Sequence, residues 1–590
     1  MSEKTFLEQY LDNIAAQYDS SRFKPFLEEG TEEYTKVACR DGVELTTVIY
    51  KPVSKGPYPT IVVRCPYATQ DVLWRAHGQH LTKRGYALVL QWCRGTAGSG
   101  GKWEPNVNER SDGQDLLAWL EQQSWVDCMG MWGTSYLGLT GWVLADYESP
   151  KFRSICANHY GTERFTSAYC KGAFRSDVLT SWARGNAGHP VDTDYLEAAR
   201  YRPQMEVDEA MWGGKLDWYR DWISHPRSDD PYWGEGFWGL LKEIPVRAKV
   251  PMFIHEGWFD HHLGSALVSW GKLNPAVREH SWLRIGCWNH FFMNPLEGIN
   301  PPNLAAEEVP ESLEWFDLTL KRKEQPESKV EYYEIGSDSW HAVSAWPPVS
   351  NAADVETESE RAQSVRLLLD AHTTDDDSVV YGLVAESSSA DNETSADDET
   401  IADGLAAASV SYDYDPDNPV PSLGGEALLQ SRNEIGARVQ PEPGFRPDVV
   451  TFESTPLEQD LHVRGSITVE LYVSSSAPDT AFTAKLMEVG PDGVALNYRT
   501  SITTLALDEP NAPEYKPGEV RRVSLTMWDI SWMIPAGSRI RCDIASSDFP
   551  QYAIHTNTAG LWSEQTDAVV AHQTIHTGAG CPSAIVLPIA

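Results

Sequence analysis

Residues 131–142 read Met-Trp-Gly-Thr-Ser-Tyr-Leu-Gly-Leu-Thr-Gly-Trp, and this stretch decides how the rest of the chain is interpreted. A short apolar run leads into Gly133, Ser135 follows two residues later, and the residues beyond are compatible with a helix. A sharp strand-to-helix turn of this kind exposes a serine hydroxyl, and glycine relieves the crowding. Leu137 occupies the usual second glycine position, and Gly138 comes one residue late. The stretch predicts that Ser135 is a catalytic nucleophile at the end of a strand.

A serine hydroxyl is a weak nucleophile, so this prediction requires a base and an orienting carboxylate farther along the chain. Both occur after strand-like runs: Asp260 follows residues 251–255, and His290 follows residues 282–285. In that order, His290 takes the proton from Ser135, while Asp260 fixes the imidazole tautomer and stabilises its charged form.

Three further histidines compete with His290 for the role of base: His255, His261 and His262. They lie within or beside the segment that carries the acid. Because a base must reach both the acid and the serine, we expect their geometry to be less suitable than that of His290.

The first third of the chain alternates strand-like and helix-like segments, which favours a mostly parallel α/β sheet. From 161 to 246 the sequence becomes helical and aromatic, with six tryptophans, before strands resume. We therefore predict a core at 1–160, a helical cap inserted at 161–246, and the second part of the core at 247–345. The tryptophans favour a pocket for an apolar or aromatic acyl group.

Beyond residue 345 the pattern changes to short alternating strands such as 463–473 and 480–489. Without intervening helices, this predicts an all-β sandwich or jelly roll over 346–590. The segment 375–403 has ten acidic residues and neither Lys nor Arg, which predicts a solvated loop.

The 590 residues carry a net charge of −37, which excludes a general nucleic-acid binder. No apolar run approaches membrane-spanning length, and the first residues lack the pattern of a secretory signal, so we expect a cytoplasmic protein without a membrane partner. Nine scattered cysteines without a C-x-x-C pair predict neither a disulfide framework nor a zinc site. The glycines after Arg94 lack a following Gly-Lys-Ser/Thr, so no nucleotide site and no cofactor are expected.

The three motifs together resemble the cocaine esterase and X-prolyl dipeptidyl-peptidase (CocE/NonD) family of α/β-hydrolases. The matching segments are Gly133-Thr-Ser-Tyr-Leu-Gly, Gly257-Trp-Phe-Asp and Trp288-Asn-His, with Arg64-Cys-Pro-Tyr and Asp479-Thr-Ala-Phe-Thr-Ala-Lys-Leu elsewhere. The resemblance extends over nearly the whole chain. It implies an α/β-hydrolase core with an inserted helical cap domain and a C-terminal jelly-roll domain.

The resemblance also implies site residues. Ser135, Asp260 and His290 would form the triad, while the hydroxyl of Tyr67 and the main-chain N–H of Tyr136 would form the oxyanion hole. The chain departs from the family pattern in two places: Cys287 stands where Gly-Pro-Trp is usual, and Trp92-Cys93 replaces an acidic position before Arg94.

The predicted function is therefore a serine hydrolase that cleaves a small-molecule ester or amide through an acyl-enzyme. An X-prolyl or α-aminoacyl peptidase, an α-amino ester hydrolase and an acyltransferase would use the same triad and stay open as alternatives. A more remote alternative is a non-catalytic binding protein in which the strand-to-helix turn at Ser135 is degenerate. The sequence leaves open whether the chain forms a homo-oligomer.

Overall fold

The structure is a computed structural model that describes residues 6–304, 307–346, 363–373, 379–386, 405–507 and 513–589. Most of the predicted acidic loop, 375–403, lies outside the described residues. Its described part contains a strand, Val379–Ala385, so the loop prediction is wrong there, because this run of mainly apolar residues pairs with Gln363–Thr373. Among the described residues, no helix is long and apolar enough to span a membrane.

The described residues form fourteen α-helices and three separate sheets. The helices are α1 (Phe6–Ser20), α2 (Asp71–Thr82), α3 (Glu109–Glu121), α4 (Tyr136–Trp142), α5 (Arg164–Ala168), α6 (Ser176–Gly185), α7 (Tyr195–Arg200), α8 (Val207–Met211), α9 (Asp217–Ser224), α10 (Pro231–Gly234), α11 (Gly236–Arg247), α12 (Leu263–Lys272), α13 (Pro275–Arg278) and α14 (Glu308–Phe316). The strands up to the end of the core are β1 (Thr31–Ala38), β2 (Glu44–Lys51), β3 (Tyr58–Cys65), β4 (Ala87–Trp92), β5 (Val126–Thr134), β6 (Phe152–Asn158), β7 (Tyr169–Cys170), β8 (Ala173–Phe174), β9 (Met252–Phe259), β10 (Trp282–Asn289), β11 (Lys329–Glu334) and β12 (Ser339–Val343).

The core sheet has the strand order β1-β2-β4-β3-β5-β6-β9-β10-β11-β12. All neighbours from β4 to β11 pair in parallel, and the outer pairs at both ends are antiparallel. Strands β4 and β9 are buried along their whole length because helices cover both faces of a parallel sheet. The carboxyl ends of β5, β9 and β10 therefore meet at one edge, where loops can carry chemistry.

Helices α5–α11 and the small β7–β8 hairpin lie between β6 and β9 in sequence, yet β6 and β9 pair directly in the sheet. A strand pair interrupted in this way places the intervening residues outside the sheet. Of the six tryptophans in this segment, four are buried and two, Trp182 and Trp218, are half-buried. The tryptophans thus serve mainly as the core of the cap, and Trp182 also faces a cavity.

The C-terminal part contains thirteen strands joined in one hydrogen-bonded network. They are β13 (Gln363–Thr373), β14 (Val379–Ala385), β15 (Ala408–Tyr414), β16 (Val450–Ser454), β17 (Leu461–Gly465), β18 (Thr468–Ser475), β19 (Ala481–Val489), β20 (Ala495–Thr504), β21 (Arg521–Thr526), β22 (Ile530–Ile534), β23 (Arg539–Ala545), β24 (Ala571–Thr577) and β25 (Ala584–Ile589). The strand-like run 463–473 belongs to two strands, β17 and β18, because the chain turns at Gly465, where φ is +120°. The fold is thus an α/β-hydrolase core with an inserted helical cap and a C-terminal all-β domain of the jelly-roll class, as the sequence predicts.

Candidate active site

Ser135 lies between the last residue of β5 and the first residue of α4, in a backbone conformation that few residues adopt. Its φ is 61° and its ψ is −127°. The N–H of Ser135 donates to the carbonyl oxygen of Asn158, at the end of the neighbouring strand β6, with a length of 2.9 Å. Strained backbone of this kind persists only where the surroundings hold it, and it is common at catalytic residues.

Glycine is required at position 133 because the turn brings two pieces of backbone together. A Cβ on Gly133 would lie 2.3 Å from the carbonyl carbon and oxygen of Leu137. A Cβ on Gly138 would lie 3.1 Å from the carbonyl oxygen of Asn158 and from the Cβ of Tyr160. The close approach to the end of β6 at residue 138 therefore accounts for a glycine at that position.

His290 and Asp260 are brought into direct contact from the ends of β10 and β9. The Nδ1 of His290 donates to the Oδ2 of Asp260 over 2.5 Å, and the second carboxylate oxygen accepts from the N–H of His262 at 2.6 Å. This arrangement leaves the Nε2 of His290 to accept a proton. Cys287, where the chain departs from the family pattern, is buried on β10, where the register with β9 shifts between Gly286 and Asn289.

Electrostatics keep Asp260 ionised although it is completely buried. Burial acts to raise its pKa, but the imidazoles of His290, His159 and His261 and the bond from His290 hold this pKa well below its usual value. An ionised carboxylate is the state that would stabilise a protonated imidazole in a proton transfer.

His159, which the sequence did not single out, lies beside the predicted triad. Its Nδ1 donates to the main-chain carbonyl of His290 over 3.1 Å and lies 3.9 Å from the Oδ2 of Asp260. Its φ is +49°, and burial lowers its pKa to about 4, so it is neutral near pH 7. The only available signal was its place directly after β6, at the same sheet edge as the other site residues.

Of the four histidines considered as the base, His290 is the one whose ring bonds to Asp260 among the described residues. His255 lies inside β9 with its Nε2 3.1 Å from a carboxylate oxygen of Glu311. His262 pairs with the hydroxyl of Ser167, and the ring of His261 lies 4.2 Å from the ring of His290. The hydrogen bond to Asp260 therefore favours His290 as the base.

Tyr67 follows β3 and lines the same cavity as Ser135 and His290. The Nε1 of Trp182 donates to its hydroxyl oxygen over 3.1 Å, so the phenolic proton stays available as a donor to another group. Burial raises the pKa of Tyr67 above its usual value, so the hydroxyl is protonated at neutral pH.

Tyr136 is held by its side chain. Its hydroxyl donates to Glu109 over 2.9 Å and accepts from the N–H of Asn106 at 2.8 Å. Its main-chain N–H is the first of α4, and such groups have no acceptor inside the helix. Cys93, one of the two positions that differ from the family pattern, contributes to the same group of contacts. Its thiol donates to Glu109, which also pairs with buried Arg64 at 2.8 Å.

Two cavities meet at Ser135. The larger, of about 500 Å³, is also lined by Tyr67, His290 and Glu308. The smaller, of about 40 Å³, is lined by cap residues and by Tyr136 and His261. Leu429 lines both, so the all-β domain contributes to the site, although its sequence held no such signal.

Within the described residues, one group of side chains could converge on a metal ion: His159, Asp260 and His290, whose ligand atoms lie within 4.8 Å of one another. The 2.5 Å separation of His290 and Asp260 is a hydrogen-bond distance. An ion between the two would have to replace that bond. The arrangement therefore fits a proton-transfer pair better than a metal site.

Two family matches together cover most of the chain. Residues 41–292 match the X-Pro dipeptidyl-peptidase (S15 family), and residues 323–586 match the X-Pro dipeptidyl-peptidase C-terminal non-catalytic domain. The second range includes β11 and β12, which pair with the core sheet.

One relative is similar in sequence over nearly the whole chain, and two solved structures share its fold. The chain is 27% identical to the cocaine esterase of Rhodococcus sp. (strain MB1 Bresler) over 94% of this chain and 97% of that protein. An α-amino acid ester hydrolase structure has a TM-score of 0.77 at 21% identity, covering 96% of this chain and 99% of that one. An aminopeptidase structure from a marine sediment Thaumarchaeota archaeon has a TM-score of 0.76 at 20% identity, covering 96% of this chain and 97% of that one. The chain is a serine hydrolase that belongs to the cocaine esterase and X-prolyl dipeptidyl-peptidase (CocE/NonD) family of α/β-hydrolases.

Proposed function

We propose that the protein hydrolyses a carboxylic ester through an acyl-enzyme on Ser135, with His290 as base and Asp260 as the orienting acid. The observation that carries the proposal is the 2.5 Å bond between the Nδ1 of His290 and the Oδ2 of Asp260, in a pair whose histidine lines the cavity of Ser135. It leaves the Nε2 of His290 as the proton acceptor, which is the state that nucleophilic attack by serine requires.

In the first half-reaction the Oγ of Ser135 attacks the ester carbonyl while the Nε2 of His290 takes its proton. The tetrahedral intermediate then collapses, the C–O bond to the alcohol breaks, and His290 gives its proton to the departing oxygen. Water repeats the sequence on the acyl-enzyme and releases the carboxylic acid.

The oxyanion of each intermediate needs preorganised donors. We assign the hydroxyl of Tyr67 and the main-chain N–H of Tyr136 to this role. The neutral phenol of Tyr67, whose oxygen already accepts from Trp182, and the first N–H of α4 support the assignment. Losing one such donor typically costs about 3 kcal/mol of transition-state stabilisation.

The position of His290 indicates which cavity takes which half of the ester. A general acid must adjoin the leaving oxygen. His290 is part of the larger cavity's lining and not of the smaller one's, among the described residues. We therefore assign the alcohol to the larger cavity and the apolar acyl group to the smaller, tryptophan-lined one.

This assignment favours an esterase over an X-prolyl or aminoacyl peptidase. A dipeptidyl peptidase must hold the free amino group of its acyl part, for which a carboxylate is the natural partner. The described lining of the smaller cavity includes Arg164 but neither Asp nor Glu. A cationic side chain there opposes an ammonium group.

Covalent labelling tests the proposal directly. A fluorophosphonate should label one serine per chain, mass spectrometry should locate the label on Ser135, and Ser135→Ala should abolish both the labelling and the hydrolysis of p-nitrophenyl acetate. A parent enzyme that folds but stays unlabelled and inactive would contradict it. Product analysis with an added alcohol separates hydrolysis from acyl transfer, because only transfer yields a new ester.

A further inference from the structure

The two cavities at Ser135 differ about tenfold in size, which bears on the two halves of the substrate. A cavity needs a volume of about 10–15 Å³, measured with a water-sized sphere, to hold one water molecule. The smaller cavity, at about 40 Å³, corresponds to only a few waters, whereas the larger, at about 500 Å³, holds a group many times bigger. If the acyl group occupies the smaller cavity, it has only a few carbon atoms.

The walls of the smaller cavity are packed aromatic rings. Trp182 lies 5.7 Å from Trp222 and stacks on Tyr136 at 6.1 Å, measured between ring centroids. The guanidinium of Arg164 lies 4.7 Å above the ring of Trp222, which is itself buried. Enlarging this cavity would displace several side chains that already contact one another, so a long or aromatic acyl group is disfavoured.

The larger cavity contains an acidic group that the proposed mechanism does not use. Glu308, the first residue of α14, is only 8% exposed. Its Oε1 accepts from the hydroxyl of Thr134 at 3.0 Å and from the amide of Asn158 at 3.2 Å. Thr134 precedes Ser135 in sequence, and the carbonyl oxygen of Asn158 accepts from the N–H of Ser135. Glu308 is therefore held in a fixed orientation next to the nucleophile.

The surroundings of Glu308 favour a neutral polar partner over a cation. The two side chains that donate to it, Thr134 and Asn158, are uncharged, and burial raises its pKa to about 7. Gln70 and His77 line the same cavity, and Arg432 adds a positive charge that opposes a cationic ligand. A hydroxyl group can bond with a glutamate side chain in either protonation state, whereas an ammonium group requires the ionised one.

We propose that the ester cleaved at Ser135 joins a short acyl group of about two to four carbons to a bulky alcohol with further hydroxyl groups, one of which bonds to Glu308. This inference rests on the proposed function and names its substrate class. The acyl group passes from the alcohol oxygen to Ser135, the serine proton passes through His290 to that oxygen, and water then releases the short acid.

Two experiments with the full chain test the inference. In the first, p-nitrophenyl acetate, butyrate, octanoate and benzoate vary the acyl group on one leaving group. We expect kcat/KM to fall at least tenfold from butyrate to octanoate and to benzoate. Equal or better turnover of octanoate or benzoate would overturn the short-acyl part, and this arm needs no variant.

In the second, 6-O-acetylglucose, acetylcholine and ethyl acetate vary the alcohol. We expect kcat/KM at pH 8, where Glu308 is mostly ionised, to be highest for acetylglucose. Glu308→Gln should lower the ratio of acetylglucose over ethyl acetate roughly tenfold, since a hydrogen bond to a charged carboxylate becomes a weaker one to a neutral amide. Glu314→Gln, at a half-buried position of the same helix where the carboxylate pairs with Arg22, should leave the ratio unchanged. A preference for acetylcholine, or an unchanged ratio in Glu308→Gln, would overturn the inference.

Failure of this inference is distinguishable from failure of the proposed function. If the fluorophosphonate labels Ser135 and the p-nitrophenyl esters are cleaved without the expected preferences, only the substrate class is wrong. If the parent chain is neither labelled nor active, the proposed function itself fails.

Discussion

The carboxylate of Asp177 accepts a 2.7 Å hydrogen bond from the main-chain N–H of Leu429, and this bond ties the cap to the all-β domain at the active site. The same oxygen accepts from the N–H groups of Gln430 and Ser431, and the other oxygen accepts from the hydroxyl of Ser431. Because Leu429 lines both cavities, the substrate-facing surface depends on a loop of the C-terminal domain.

Replacing Asp177 should therefore affect both stability and substrate binding. Asp177→Ala leaves several buried donors without their acceptor, so we expect the free energy of unfolding to fall by about 3 kcal/mol. We also expect KM to rise more than kcat falls, because the loop loses its anchor. Urea unfolding and steady-state kinetics measure the two effects.

Asp194→Ala is the matched control for Asp177→Ala. Asp194 caps α7 through one bond, to the N–H of Glu197, and is exposed. Its loss should cost about 1 kcal/mol and leave KM unchanged. If Asp177→Ala folds normally with the KM of the parent, the anchor has no functional role.

Tyr67→Phe should lower kcat by a factor of about 10² to 10³ with little change in KM, because the hydroxyl would act mainly on the developing oxyanion. Tyr58→Phe removes a hydroxyl that bonds to the main-chain carbonyls of Pro52 and Ser54, at the other end of β3 from Tyr67, and it should leave kcat unchanged. A Tyr67→Phe enzyme with full kcat would remove this residue from the oxyanion hole.

His159→Asn should reduce kcat by roughly tenfold. The variant loses or weakens the bond to the carbonyl of His290, worth about 1 kcal/mol, while asparagine tolerates the positive φ at this position. The rate of fluorophosphonate labelling should fall in parallel, since it reports the same proton transfer. A labelling rate equal to that of the parent would show that His159 does not position His290.

Glu308 should make stability depend on pH. Its pKa in the folded protein, about 7, exceeds the usual value of 4.5, so the folded state binds more protons between these values. Stability is therefore greatest below about pH 4.5 with respect to this group and falls as pH rises to 7, by up to about 3 kcal/mol. Urea unfolding of Glu308→Gln should lack this part of the decline, whereas Glu314→Gln should retain it.

The net charge of −37 should make the fold sensitive to salt. Repulsion among carboxylates is screened as ionic strength rises, because the Debye length shortens from about 30 Å at 0.01 M to about 10 Å at 0.1 M. We expect Tm to increase between 10 mM and 500 mM NaCl at pH 8. The increase should be smaller at pH 5, where fewer carboxylates are charged; a Tm that is independent of salt would contradict this account.

The order of the core elements could be predicted because buried parallel strands and amphipathic helices leave distinct local patterns. The division of residues 463–473 into two strands at Gly465 could not be predicted, because a single glycine within an alternating run is compatible with one strand or two. The roles of Ser135, Asp260 and His290 stay proposals for the labelling experiment to test. The structure places all three at one edge of the sheet, where the strand ends 134, 259 and 289 meet.

The sequence by itself determined the fold class and the residues that could perform the chemistry. The turn that carries Ser135 and the residues at the strand ends are short-range features that a local pattern can encode. Only the tertiary structure decided which groups surround them. Asp177 meets Leu429 across 252 positions, and Glu308 meets Thr134 across 174. Such contacts follow from how the cap, the core and the all-β domain pack, and no local pattern encodes that packing.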